Sequence, residues 1–280
     1  MSKTFLITGV SSGFGRAFAE AALNAGHKVA GTVRTAEAAS AFEALDSHAA
    51  LAIVLDVTDF AAIPDAVERV EKKVGPIDVL INNAGYGHEG PIEESSLDAL
   101  KHQFDVNVFG AVAMIKAVLP YMRQRRTGHI INMTSVGGLS TTPGLGFYHG
   151  SKFALEGINE TLAQEVKGFG IHVTAIEPGP FRTAWAGSSM VRAKRSIPDY
   201  DEVFAPVRRN REGYSGQQPG DPRKAAEAML KVVAAENPPV HLLLGKAALK
   251  MLDDKLAALK AEMVEWQEVS RSTDFKPGAA

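Results

Sequence analysis

The sequence predicts an α/β fold, a doubly wound parallel sheet of about seven strands with helices on both faces. Short apolar runs alternate with longer segments of helical period along most of the chain, the pattern of a parallel sheet covered on both sides. The first run leads straight into a glycine-rich turn that opens a helix. Residues of marked chemical character sit just past the ends of later runs, at the sheet edge where such folds keep their ligands.

Residues 3–8 read as the first strand and 13–25 as the first helix, which Gly26 stops. Strands follow at 27–33, 50–55, 77–81, 129–133, 171–176 and 240–244. Helical period occupies 36–45, 60–74, 97–123, 147–167 and 222–235, with Pro64 near a helix start, where a missing N–H costs least. Residues 183–220 hold Gly, Pro and scattered charge without a sustained period, and are expected to form an insertion of loop and short helix. In 246–268, Leu249, Leu252, Leu256, Leu259, Met263 and Trp266 recur at spacings of three and four, a narrow apolar stripe on a charged helix. That helix is expected to dock on its own domain in preference to pairing with a second subunit. Residues 270–280 read as a flexible tail. No repeat or linker divides the chain, so 1–280 is expected to be a single domain.

With 280 residues, 45% of them hydrophobic, the chain can bury one large core. Net charge is −2 and no Lys/Arg block dominates a segment, so composition gives no support for nucleic-acid binding. The absence of cysteine excludes disulfides, thiolate nucleophiles and thiolate metal sites, and fits a reducing compartment. No metal is expected. The N-terminus enters a strand at once, without a targeting segment, and no apolar run reaches the roughly 20 residues needed to cross a membrane. A soluble cytoplasmic protein with no membrane partner is expected.

The turn after the first strand reads Gly9-Val10-Ser11-Ser12-Gly13-Phe14-Gly15. Its glycines let the backbone approach a ligand, and the helix N-terminus behind it offers free N–H groups to a pyrophosphate. The spacing differs from the best-known dinucleotide fingerprint, but the position, between first strand and first helix, is the one where a doubly wound sheet binds its nucleotide. At the end of the second strand stands Arg34, where an acidic residue would accept the ribose 2′-hydroxyl of NAD. An arginine pairs instead with a 2′-phosphate, favouring NADP, while Glu37 keeps NAD open.

Past the fifth strand lie Ser135, a glycine-rich turn, then Tyr148 and Lys152 one helical turn apart. A unit charge about 4 Å from the phenol, at an effective dielectric of about 20, contributes roughly 4 kcal/mol, enough to draw its pKa toward neutrality. Taken alone, such a pair is also ordinary on an amphipathic helix.

In order, these motifs resemble the short-chain dehydrogenase/reductase family over roughly the first 245 residues. The resemblance rests on TGVSSGFG at the first turn, Asp56-Val57, Asn82-Asn83-Ala84-Gly85, Asn107, Ser135, the YHGSK of Tyr148 and Lys152, and Pro178-Gly179. It implies a Rossmann-like sheet of order 3-2-1-4-5-6-7 and a nicotinamide cofactor, NADP before NAD. Residues 1–180 would bind it and carry the chemistry, with 181–220 as substrate loop. Asp56 and Val57 would lie at the adenine, Asn83, Ala84 and Gly85 along the cofactor, and Pro178, Gly179, Phe181 and Thr183 near the nicotinamide. Ser135 would hold a carbonyl, Tyr148 pass the proton, Lys152 lower the Tyr pKa and bind the ribose, and Asn107 help hold a water on the proton's way out.

The substrate is expected to be an alcohol or ketone, lined by Tyr86, His88, Leu139, Thr141, Pro143, Leu145, Trp185 and the insertion. Arg192, Lys194, Arg195, Arg208, Arg209 and Arg211 are expected to be neutralised by the neighbouring Asp199, Asp201, Glu202 and Glu212 rather than to meet an anionic substrate. A dinucleotide-sensing regulator and a nucleotide-sugar epimerase or dehydratase are the alternatives on this fold. Gly110, Ala111, Ala154 and Gly157 on two long helices would admit another helix, and the resemblance implies a homodimer or homotetramer formed there.

Overall fold

The computed structural model describes residues 2–187 and 189–275, Glu212 for its backbone alone. In chain order the elements are β1 (Thr4–Ile7), α1 (Gly13–Asn24), β2 (Lys28–Val33), α2 (Ala36–Glu43), β3 (Ala50–Val54), α3 (Ile63–Lys73), β4 (Val79–Asn82) and β5 (Gly87–Glu89). Then come α4 (Leu97–Phe104), a π-helical turn (Asp105–Phe109), α5 (Gly110–Arg125), β6 (Gly128–Met133), α6 (Gly146–Val166), β7 (Ile171–Pro178) and β8 (Met190–Arg192). The chain closes with α7 (Asp201–Gly213), α8 (Pro222–Ala234), β9 (His241–Leu244), α9 (Lys246–Glu265) and α10 (Gln267–Arg271).

Seven strands form one parallel sheet in the order β3-β2-β1-β4-β6-β7-β9. Numbered among themselves, these strands run 3-2-1-4-5-6-7, as expected. Their side chains alternate between two cores, as the period of two requires. Phe5 and Ile7 of β1, Val79 and Ile81 of β4, and Ile131 and Met133 of β6 join Phe18 of α1, Phe42 of α2 and Met229 of α8 on one face. Leu6, Leu80 and Ile130, from the same strands, pack with Val67 of α3, Val118 of α5 and Leu162 of α6 on the other. Three buried amides stitch the second face together: Asn82 Nδ2 donates to Asn132 Oδ1 and Asn132 Nδ2 to Asn159 Oδ1, each at 2.9 Å. Paired in this way, the amides satisfy most of one another's polar atoms in the interior, with Asn82 Oδ1 left without a partner.

Several features depart from expectation. The helix foreseen at 97–123 is interrupted by the π-helical turn, which carries Asn107. As one unit, 97–125 is long and apolar enough to cross a membrane by length and composition, yet it packs against α3, β4, β6 and α6 as a layer of the fold. The insertion is more regular than a loop, because β8 pairs in parallel with β5 and α7 follows. Gly110 and Ala111 are buried within the chain, Gly110 against Val57, whereas Ala154 is half-buried and Gly157 opens onto free space. The largest difference lies at the C-terminus, where α9 does not dock along its length. Only Ala248 is buried, and every described residue from Asp253 onward is exposed. The foreseen tail begins with α10, and residues 276–280 lie outside the described residues.

Candidate active site

A cleft of about 990 Å³ runs along the carboxyl edge of the sheet. Following the strand order, the residues just past each strand that line it are Asp56, Arg34, Gly9, Asn83, Ser135 and Gly179. Six strands at about 4.8 Å spacing span roughly 24 Å, enough for an extended dinucleotide. Most of the proposed cofactor residues border this cleft: Gly9, Ser11, Ser12, Gly13, Phe14, Arg34, Asp56, Val57, Asn83, Ala84, Gly85, Pro178, Gly179, Phe181 and Thr183. Gly15 does not. It lies behind the turn, where an added Cβ would stand 2.2 Å from Gly9 O and 2.4 Å from Asn83 Nδ2, so its service is to close packing.

The turn is held from the neighbouring strand. Thr8 Oγ1 accepts from the backbone N–H groups of Asn83 and Ala84, each at 2.9 Å. Asn83 Nδ2 returns two bonds, to Thr8 O at 2.9 Å and Gly9 O at 3.0 Å. Gly9 N–H donates to Thr32 Oγ1 at 3.0 Å. Ser12 stands at the N-cap of α1 in extended conformation and makes no side-chain capping bond, so the first N–H groups of the helix face the cleft uncapped. An uncapped helix N-terminus behind a glycine turn suits a pyrophosphate, and the residues present fit a nicotinamide dinucleotide. Beside it, Asp56 Oδ1 accepts from the Thr58 N–H at 2.9 Å and hydroxyl at 2.8 Å. The Thr58 N–H leads in holding the Asp56 carboxyl below its usual range, against a smaller opposing effect of burial, with the Thr58 hydroxyl and nearby Arg34 adding to it.

Ser135, Tyr148 and Lys152 converge where β6 and β7 end, and all three line the cleft. Ser135 Oγ accepts from Gly137 N–H at 2.9 Å, which fixes the hydroxyl above the turn. Tyr148 is 7% exposed, its ring 5.0 Å from that of Trp185, and the Ser135 side chain is near enough to its phenol to oppose the effect of burial on its pKa. Lys152 Nζ donates to Met133 O at 2.7 Å and sits 5.8 Å from the Tyr148 ring centre. Here the expectation of a lowered Tyr pKa fails. Burial pushes the phenol up to about 12, with Ser135 opposing, and pulls Lys152 down to about 8, with Glu156 opposing. Both groups pay desolvation before they feel each other.

Asn107 is buried and does not border the cleft. Its Nδ2 donates to Tyr86 O at 3.0 Å and Ser151 Oγ at 3.1 Å, and its Oδ1 accepts from Tyr86 N–H at 3.1 Å. The π-helical turn thus fastens the corner after β4 to α6, which carries Tyr148 and Lys152, a use of such bulges common at functional sites. Behind Lys152 lies a cluster that the sequence reading missed. Glu156 and Glu177 are buried, and His241 Nδ1 approaches Glu177 Oε1 at 2.7 Å and Glu156 Oε2 at 3.6 Å. Burial, with Glu177 beside it, pushes Glu156 up to about 7.

On the substrate side, Leu145, Trp185, Val191, Val207 and Met251 supply apolar lining, with Tyr86, Thr142, Asn210 and Arg211 as polar groups. His88 is instead buried, stacked on Phe147 at 5.2 Å, and Thr141 and Pro143 face a separate small pocket. Leu139 borders neither. The insertion's arginines find carboxylates outside it and within it: Arg211 meets Glu89 at 3.0 Å and Arg195 meets Glu94 at 2.8 Å, while Asp201 joins Arg195 from within at 2.8 Å. These pairs rivet the insertion to the segment after β4. His149 closes the turn after β6, its Nδ1 facing Gly137 O at 2.8 Å while Nε2 accepts from Thr142 N–H at 3.0 Å. Accepting at Nε2 requires the neutral ring, and burial pulls its pKa down accordingly.

Residues 3–193 match the sequence model of the family described as short chain dehydrogenase. The chain belongs to the short-chain dehydrogenase family. It is 39% identical over 271 residues to Oxidoreductase BOA17 of Botryotinia fuckeliana, covering 96% of this chain and 98% of that one. It is also 39% identical over 243 residues to a 3-ketodihydrosphingosine reductase of Bacteroides thetaiotaomicron, covering 86% and 87%. A solved short-chain dehydrogenase from Streptomyces avermitilis superimposes at a TM-score of 0.91 with 42% identity over 98% of each chain. Another from Burkholderia phymatum, in complex with NAD, gives 0.81 with 25% identity over 95% of each.

Within this short-chain dehydrogenase, Thr8, Thr32 and His149 shape the site although none was singled out as a site residue. Thr8 and His149 had a readable signal, one directly before the glycine turn and one inside YHGSK. Because the folded protein holds a proton on Glu156 more tightly than the unfolded chain, its stability should fall as pH rises from about 4.5 to about 7. Urea unfolding of Glu156→Gln should lose that slope and gain on the parent above pH 7. Parallel pH profiles for the two would show that the buried carboxyl carries no such cost.

Proposed function

We propose that this short-chain dehydrogenase is an NADP(H)-dependent oxidoreductase of ketones and secondary alcohols. The observation that carries the reading is the buried Tyr148, which lines with Ser135 and Lys152 one end of a cleft whose other end is formed by Arg34 and Asp56. The residues along that cleft fit a nicotinamide dinucleotide, which when bound supplies or accepts the hydride at the substrate carbon. Ser135 and Tyr148 hold the carbonyl oxygen by hydrogen bonds that strengthen as negative charge develops there. In reduction the Tyr148 proton passes to that oxygen, so hydride on carbon and proton on oxygen complete the alcohol. With its pKa held high by burial, the phenol is fully protonated at neutral pH, the form that a proton donor needs. Lys152, eased toward neutrality, stands one helical turn away to restore the proton. Asn107 acts by fixing the Tyr86 corner against α6.

Arg34 lies exposed at the cleft and near Asp56, placing a guanidinium where the adenosine ribose would lie. This supports NADP over NAD. The apolar lining with a few polar groups supports a hydrophobic ketone carrying a polar handle, in keeping with the lipid ketone named for the Bacteroides relative. The exposed α6 face with Phe153 and Gly157 supports self-association there.

Tyr148→Phe should lower turnover of any accepted ketone by about 10²- to 10⁴-fold, followed at the NADPH absorbance, with cofactor affinity retained. Near-normal turnover would remove Tyr148 from the chemistry. Arg34→Asp should raise the KM for NADPH at least tenfold and lower that for NADH. An unaltered protein that uses both cofactors equally would refute the preference.

A further inference from the structure

Helix α9 leaves the body of the protein after its first turns. Its main contacts are with β9 and the turn at 136–138, both near its start. Beyond them Leu256 is 55% exposed, Leu259 43%, Met263 65% and Trp266 60%, and Leu249 on the same stripe is 58% exposed. Together with Leu252 these residues alternate at spacings of three and four over about five turns, the seam of a two-helix coiled coil rather than the broader face of a helix lying on a core. A seam of this length in water calls for a partner.

The flanking charges say which partner. Beside the seam stand Asp253 and Lys260 on one flank and Lys255 and Glu262 on the other. Lys255, Lys260 and Glu262 have no ion-pair partner among the described residues, whereas Lys250, on the outer surface, is paired with Asp254 at 2.8 Å. If a second copy of the helix lies antiparallel, with Leu249 facing Trp266, Leu252 facing Met263 and Leu256 facing Leu259, then Asp253 falls beside Lys260 of the second copy, and Lys255 beside Glu262. By two-fold symmetry each pair occurs twice, and all four are attractive. In a parallel pair, Lys255 would face Lys260. A lipid surface fits less well, since α9 carries four Lys against two Asp and two Glu and so offers no basic face for anionic headgroups.

We propose that α9 is a self-association helix that pairs antiparallel with α9 of a second copy of this chain, in the register set by Leu256 opposite Leu259. The pairing is separate from the chemistry at Tyr148 and from any contact through α6. It also places two clefts at opposite ends of one two-helix bridge, because Met251 of the same helix lines the cleft.

The test uses the full chain, light scattering for mass, and substitutions confined to exposed positions. Leu256→Asp with Leu259→Asp should halve the mass of the parent at the same concentration, with an unchanged melting temperature. Lys260→Glu should weaken the association at least fivefold, and adding Asp253→Lys should restore it, a rescue that a merely misfolded variant would not show. The chain has no cysteine, so a spin label on a single introduced cysteine reads register directly. A label replacing Ala258 should lie close to its counterpart, and one replacing Glu265, at the end of α9, should lie about 22 Å from its own, given a rise of about 1.5 Å per residue. Equal short distances at both positions would overturn the antiparallel arrangement. An unchanged mass in the Leu256/Leu259 variant would overturn self-association altogether. So would a parent of monomer mass that sediments with phosphatidylcholine and phosphatidylserine vesicles, which would assign the stripe to lipid.

Discussion

The cleft depends on one reciprocal clasp between the ends of β1 and β4. Thr8-Gly9 and Asn83-Ala84 are joined by four hydrogen bonds, two into the Thr8 hydroxyl from the Asn83 and Ala84 N–H groups and two from the Asn83 side-chain amide to Thr8 O and Gly9 O. Parallel strands end with carbonyls and N–H groups that the ladder no longer serves, and at these two strands side chains take over that duty. The consequence is geometric. The glycine turn cannot relax toward the sheet, α1 begins at a fixed angle, and its uncapped N-terminus faces the cleft. Gly15 belongs to the same arrangement, because only its missing side chain lets the Asn83 amide reach Gly9 O.

A second constraint acts on the proposed acid–base pair. Tyr148 and Lys152 are both nearly enclosed, and enclosure penalises the charged form of each. The result is a protonated phenol and a lysine brought nearer to neutrality, the state that the proposed proton transfer to a carbonyl oxygen requires. Glu156, buried beside Glu177 and reached by the half-exposed His241, lies behind that lysine and opposes the shift. Charge in this region is therefore shared across α6, β7 and β9 rather than set by one neighbour.

Much of the fold was legible in the sequence because a doubly wound sheet writes itself as apolar runs and helical period in alternation. Strand order came with the family resemblance that the motifs carry. The phosphate turn, Asp56, the Asn-Ala-Gly corner and the Ser135–Tyr148–Lys152 group were also readable, since each sits immediately beyond a strand or at helical spacing. What the sequence hid has a common cause. The π-helical turn at Asn107, the β5–β8 pairing, the partners of Arg195 and Arg211, and the clasp through Thr8 all depend on contacts between segments far apart in the chain. The Tyr148 pKa was misjudged for a related reason, since spacing on a helix shows a neighbouring cation but not the burial that outweighs it. The apolar stripe of α9 was visible from its period; which surface it faced was not.

Fluorescence titration of NADPH into the protein and into Asn83→Leu tests most directly whether the clasp builds a dinucleotide site. Leucine preserves bulk but removes both amide donors to Thr8 O and Gly9 O. Saturable binding is expected for the parent, with affinity at least tenfold weaker in Asn83→Leu while the far-ultraviolet dichroism stays the same. Equal affinity in the two, or no binding by the parent, would contradict the role given to the clasp and to the cleft it shapes.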